Sequence, residues 1–485
     1  MFRSILSFLF ENKGTRQTVA KNTTWLFIGE VISRLLRTSL VVYAARVLGT
    51  SGWGAFSYAL TLATLFGTFS DIGVGAILTR EVARGGGNRQ KYLSTSFYIK
   101  IALLGLTLPF IIWLAPAVTN VAQARPLMWL AAFILLFDSL REFGLSLSRA
   151  LEKMENEALS KIATNLLIML FGFLLLSRTA SPKMLAVSYA LGTGIGLLVL
   201  IWFLRKNIRE FTHHFSPELL KPIFKAALPF AILGVFGVAM MNVDTLMLGW
   251  WKSTSDIGLY AASQRILQLI YMLPTLLSAA LFPAMARLAH HDAVRFRAIL
   301  ERAISISLLV AIPIAVGGII IAPEIIRLLF GGSYVPGAAT LRILLLTVVV
   351  IFPNYFINNA IFAYDRQLRG LKFVIIGAVV NVVGNYFLIP IYGTAGAALA
   401  TVCAQAVGTL LLWRMLKQIN NFVIFPRLGK VIAATALTSF ATIATHAAGW
   451  PVIGSIVLSI GVYTTFLCLL REPLLREITA LRGQR

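Results

Sequence analysis

Fourteen apolar stretches, each long enough to cross a bilayer, follow one another along the 485-residue chain. A helix needs about 20 residues, at roughly 1.5 Å of rise each, to traverse about 30 Å of hydrocarbon. The stretches lie at approximately 23–48, 53–79, 94–115, 126–148, 158–177, 184–204, 225–250, 257–281, 303–322, 338–363, 370–389, 394–414, 430–448 and 451–470. They are continuous, whereas membrane-spanning strands alternate over about ten residues, so the expected fold is all-α and polytopic with 14 transmembrane helices. An even number puts both termini on one side.

Lys and Arg near span ends resist translocation and so report which side that is. Of the 43 Lys and Arg, 32 fall in or at the edges of the N-terminus, the even-to-odd linkers and the C-terminus. Seven belong to the alternate linkers, and Arg34, Arg37, Lys100 and Arg265 lie within spans. Both termini are therefore expected to be cytoplasmic. The formal charge of +24 is spread over short loops beside apolar spans, which points to anionic lipid headgroups and not to nucleic acid. Both cysteines, Cys403 and Cys468, sit inside spans, so no disulfide framework follows. Phe2, Ile5, Leu6 and Leu9 beside Arg3 read as an interfacial helix, because polar residues rather than a cleavage site follow them.

An internal echo links the first and seventh spans. Val47-Leu48-Gly49 leads to Gly54-Ala55-Phe56-Ser57, and Met247-Leu248-Gly249 leads to Gly258-Leu259-Tyr260-Ala261. Trp202 to Lys206 at the end of the sixth span corresponds to Trp413 to Lys417 at the end of the twelfth. The expected organisation is a six-helix lobe at 1–211, a second at 212–418, and a helix pair with a tail at 419–485. A six-span period preserves orientation, which implies an axis along the membrane normal and a site between lobes.

Reactive constellations are missing from the sequence. It has no Asp-x-Asp metal–nucleotide clamp and no P-loop. His213 with His214, and His290 with His291, are adjacent in sequence and do not have the helical spacing of metal ligands. The linkers on the less basic side are short, the longest being the Ala322 to Gly337 region, which disfavours an external polymerase or ligase. Neither a catalytic residue, a metal site nor a cofactor is expected. Transport is what remains.

Ionisable groups in hydrocarbon need a partner, a cavity or an escape route. Glu30, Arg34 and Arg37 share one face of the first span, with Arg34 about 17 Å from Thr23, near the midplane. They read either as a cationic wall that Glu30 partly neutralises or as a structural Glu30–Arg34 pair. Arg265 stands between Gln264 and Gln268, with Tyr271 a turn on. Its guanidinium suits an anionic ligand, with snorkelling to the interface as the alternative. Asp138 and Arg141, three apart, read as an ion pair. Asp71, before Gly73 and Gly75, could cap a broken helix end or carry a proton, and Asp244 beside Asn242 could bind a coupling cation or tie helices together.

Four strings resemble one family. They are Ser33-Arg34-Leu35-Leu36 with Ala45 to Gly49; Ser70-Asp71-Ile72-Gly73-Val74-Gly75 with Leu78 to Glu81; Asp244 to Gly249 with Gly258 to Ala262; and Asn381, Asn385, Ile389-Pro390 with Tyr392 to Ala398. In order and spacing they resemble the polysaccharide-repeat-unit (Wzx-type) flippases of the multidrug/oligosaccharidyl-lipid/polysaccharide exporter superfamily. The resemblance implies two six-helix lobes around a cationic cavity in the bacterial cytoplasmic membrane. It also implies alternating access that carries an undecaprenyl-pyrophosphate-linked oligosaccharide to the outer leaflet for surface polysaccharide synthesis.

In the related lipid II flippases, arginines of the first and eighth spans line that cavity. Arg34 and Arg265 match them, Leu40 stands where a further arginine occurs, and Arg37 is added. The substrate-binding set is thus Glu30, Arg34, Arg37, Arg265 and Gln268, with Asp71, Asp138 and Asp244 as candidates for coupling to a proton or sodium gradient. A polysaccharide polymerase and a chain-length regulator are candidate partners. The rival readings are a multidrug/toxin-type cation antiporter, disfavoured by the basic first span and the extra helix pair, and a membrane glycan polymerase.

Overall fold

The computed structural model describes residues 14–85, 88–424 and 428–470. The interfacial helix expected at Phe2 to Leu9 and the tail from 471 onward lie outside them. The described residues are mostly helical, with no strand among them, as hydrocarbon requires of a backbone that must satisfy its own hydrogen bonds. In chain order the helices are α1 (Thr15–Gly67), α2 (Val74–Ala83), α3 (Arg89–Pro109), α4 (Ala115–Val118), α5 (Met128–Ala150), α6 (Met154–Arg178), α7 (Pro182–Leu204) and α8 (Leu220–Trp251). After these come α9 (Thr254–Ile270), α10 (Met272–Leu288), α11 (Ala293–Ile320), α12 (Ala322–Phe330), α13 (Ala338–Ala363), α14 (Gln367–Ile419), α15 (Gly429–Ala447) and α16 (Val452–Leu469).

Among the described residues nine helices are long and apolar enough to cross a membrane, or ten if the pair bent by 47° around residues 71–73 counts as one. The chain is a multi-pass membrane protein. Two runs, α1 and α14, each join two of the apolar stretches read from sequence at a glycine, although the second stretch continues past the end of α1 into α2. Gly49 (φ 66°) and Gly393 (φ 59°) adopt backbone that a side chain would strain, so each helix turns without a loop. Helix α5 does not reach the same apolar standard, because Asp138, Arg141 and Glu142 interrupt it.

The chain divides into two compact units, Met1–Gly258 and Leu259–Arg485. In the first, Leu78, Val82 and Leu93 pack with Phe143, Leu147, Leu200 and Leu204, bringing α2, α3, α5 and α7 together. Small residues let backbones approach. Gly29 of α1 abuts Ala158 of α6, and Gly172 of α6 leaves the notch that Leu40 fills. A further close approach is between Thr50-Ser51-Gly52-Trp53-Gly54 and Thr254-Ser255-Asp256-Ile257-Gly258. A Cβ on Gly54 would overlap the Thr254 carbonyl oxygen, one on Gly258 would overlap that of Thr50, and Ser255 Oγ donates to Thr50 Oγ1 at 2.7 Å. Both segments have the form Thr-Ser-x-x-Gly, and both belong to the internal echo.

In the second unit Phe296, Leu300, Ile304, Phe356, Ile357, Leu412 and Leu416 form the core of α11, α13 and α14. The terminal pair docks on α11, where Val431, Ala434, Tyr463 and Leu467 meet Leu309 and Tyr463 Oη donates to the Leu309 carbonyl at 2.7 Å.

Candidate functional site

The first-span face is held by its own helix and by α6. Arg34 Nε donates to Glu30 Oε1 at 2.5 Å, and both side chains remain about a third exposed. The i,i+4 spacing therefore forms the pair read from sequence, but half-buried and not sealed between helices. Arg37, one turn on, is exposed; its guanidinium lies 5.7 Å from the centre of the Tyr189 ring of α7, with Asp138 among its electrostatic neighbours. Asp138 Oδ1 accepts from Arg141 Nη2 at 2.8 Å, the pair expected within α5. Leu40 is fully buried against Gly172, so the position that carries arginine in lipid II flippases is here part of the core.

Asp71 lies at the break after α1. The cap of α2 is Gly73 in the left-handed region (φ 82°), without a side-chain hydrogen bond, so Asp71 does not cap that helix through its carboxylate. It accepts instead from Lys100 Nζ at 3.0 Å, and Lys100 is 1 % exposed. A buried ammonium needs such a counter-charge. Sequence reading placed Lys100 in a span but assigned it no partner, because 29 residues separate the two.

Arg265 is half-buried on α9, and its Nη1 donates to the Oε1 of exposed Gln268 at 2.8 Å. Tyr271 pairs with Thr347 of α13. Asp244 on α8 is 1 % exposed, next to Thr245 at 3 %. Among the described residues no group of three or more His, Cys, Asp or Glu could hold a metal ion.

A cluster not read from the sequence adds to the charged groups of the first unit: Lys161, Glu157 and Glu142 around Arg149. Glu157 is 2 % exposed and accepts from both Nε and Nη2 of Arg149 at 2.7 Å, with Lys161 Nζ at 2.9 Å. The Glu157–Lys161 spacing of four carried a signal for one of these pairs.

A half-buried arginine–glutamate pair and an exposed arginine on one apolar helix form a face suited to an anion. A family model described as a polysaccharide biosynthesis protein matches residues 19–289, more than half of the chain and the whole of this face. The chain belongs to that family. A second model, MatE, matches residues 229–387 of this polysaccharide biosynthesis family member, consistent with the multidrug/oligosaccharidyl-lipid/polysaccharide superfamily. The "Probable flippase AglR" of Haloferax volcanii is 33% identical over 177 residues, an alignment that spans 36% of the chain and only 37% of AglR. The "Probable low-salt glycan biosynthesis flippase Agl15" of the same organism is 22% identical over 81% of the chain and 82% of its own length. In fold, the family member resembles the lipid II flippase MurJ in its inward closed conformation. The TM-score is 0.78 at 19% identity, covering 92% of this chain and 99% of MurJ.

Proposed function

We propose that this protein is a flippase that carries an undecaprenyl-pyrophosphate-linked oligosaccharide repeat unit from the inner to the outer leaflet of the bacterial cytoplasmic membrane by alternating access. On this reading both termini are cytoplasmic, and the six-span lobes 1–211 and 212–418 do the work, with 419–485 as an added pair. The observation that carries it is the first-span face: Arg34 with Glu30 half-exposed beside exposed Arg37, on a helix apolar enough to lie in hydrocarbon. A pyrophosphate cannot enter hydrocarbon unpaired, and a guanidinium offers it a fork of donors. Arg265, with Gln268 alongside, is proposed as a further substrate-binding residue. Asp71, Asp138 and Asp244 are the proposed groups for coupling to a proton or sodium gradient. A polymerase and a chain-length regulator are the proposed downstream partners.

The MatE match over 229–387 favours one second reading, a cation antiporter. Deleting the gene separates the two. The flippase reading expects lipid-linked oligosaccharide to accumulate and the surface glycan to disappear, with ethidium resistance unchanged. Normal surface glycan with heightened ethidium sensitivity would select the antiporter.

A further inference from the structure

Glu30 has two oxygens and two cations. Oε1 accepts from Arg34 Nε at 2.5 Å, while Oε2 stands 4.0 Å from Lys161 Nζ of α6. Lys161 is held at 2.9 Å by Glu157, Glu157 grips Arg149 through both oxygens, and Arg149 Nη2 reaches Glu142 at 3.5 Å. Glu142 stands 4.0 Å from Arg141, which is paired with Asp138 at 2.8 Å. The result is a strictly alternating series, Arg34, Glu30, Lys161, Glu157, Arg149, Glu142, Arg141 and Asp138, running from α1 through α6 to α5. Its four bases and four acids cancel. An anion that takes Arg34 breaks this balance at one place: it strands the Glu30 carboxylate beside itself, where like charge repels it.

We propose that Lys161 is a positioning residue that receives the Glu30 carboxylate when the substrate's pyrophosphate takes Arg34. The inference rests on the flippase reading. Lys161 suits the task because an ammonium offers three donors on a flexible stem, so it can keep Glu157 and close the remaining gap to Glu30 at once. The hand-over frees Arg34 without leaving an unpaired carboxylate in the span. It also loads the ion pairs that fasten the α5–α6 turn, so arrival of the anion on α1 is felt at Glu157 and Arg149.

The test is a double-mutant cycle, with undecaprenyl pyrophosphate titrated onto the purified full-length protein in phosphatidylcholine nanodiscs. Lys161→Met should weaken binding about tenfold, the size of one coupled pair. Lys161→Arg should restore most of it. Glu30→Gln should bind more tightly than wild type, since Arg34 loses its competitor, and on that background Lys161→Met should cost nothing. A lysine that merely props up Glu157 would weaken binding equally on both backgrounds, and that additivity overturns the hand-over while leaving the flippase reading intact. Loss of binding in Arg34→Ala supports both. A wild-type protein that fails to bind the pyrophosphate lipid overturns both.

Discussion

The crossing of Thr50–Gly54 with Thr254–Gly258 gives the sharpest test of the packing. In Gly54→Ala the new methyl would overlap the Thr254 carbonyl oxygen and lie 2.9 Å from Gly258 N and 3.0 Å from the Thr254 carbonyl carbon. All three are backbone atoms, which cannot rotate aside. The helices must move apart until ordinary contact at about 3.5–4 Å is restored, and that separation breaks the 2.7 Å Ser255–Thr50 hydrogen bond. Overpacking costs about 1–3 kcal/mol, here toward the upper end, and the lost hydrogen bond about 1 kcal/mol more. Gly54→Ala should therefore destabilise the purified protein by about 3–4 kcal/mol in a denaturant titration. Gly105→Ala, whose Cβ meets nothing within 4 Å, should be neutral or slightly stabilising. Gly258→Ala alone should match Gly54→Ala, because its methyl would lie 2.8 Å from the Thr50 carbonyl carbon. The double variant should cost well under the sum, since one separation accommodates both methyls. Wild-type stability for Gly54→Ala, or full additivity in the pair, would refute the close crossing.

Three further outcomes are expected. Leu40→Arg should fail to accumulate in the membrane, because Leu40 is fully buried with its Cδ2 2.9 Å from the Cβ position of Gly172, and immunoblotting of membranes checks it. Lys100→Met should lower stability by leaving Asp71 without its ammonium, and Asp71→Asn added to it should recover most of the loss; a pair that is worse than either single variant would contradict this. In a background lacking Cys403 and Cys468, a cysteine at Ser253 should react with a membrane-impermeant reagent applied to intact cells and one at His290 should not, as the 32-to-seven basic asymmetry requires.

The all-helical, membrane-embedded character was legible because nothing but a helix satisfies the backbone through apolar runs of this length. The short-range pairs were legible too. Glu30 with Arg34 and Asp138 with Arg141 follow from helical spacing alone. What escaped were partners set by tertiary contact: Lys100 for Asp71, Lys161 for Glu30, and Glu155 for buried Lys21. Asp71 illustrates the reason. Its sequence neighbours Gly73 and Gly75 suggested a capping role, but Gly73 itself makes the turn and leaves the carboxylate to a lysine on another helix. Nor does sequence distinguish a loop from a turn at Gly49 or Gly393, where a single non-helical residue kinks one helix directly into the next. Leu40 was readable as a departure from a relative's pattern, while its burial in the Gly172 notch was not.

The buried lysines impose a schedule on synthesis. Arg34 and Asp138 leave the ribosome within four residues of their counter-charges, so α1 and α5 can enter the membrane carrying neutral pairs. Lys100 follows Asp71 by 29 residues, whereas Lys21, fully buried in the finished protein, precedes Glu155 by 134. At elongation rates of about 5–20 residues per second, Asp71 waits roughly 1.5–6 s for its partner and Lys21 roughly 7–27 s. Through that interval the start of α1 must keep its ammonium in water or among headgroups, and it can settle only after α6 has begun to emerge. The start of α1, early among the described helices, is thus among the last parts of its unit to settle.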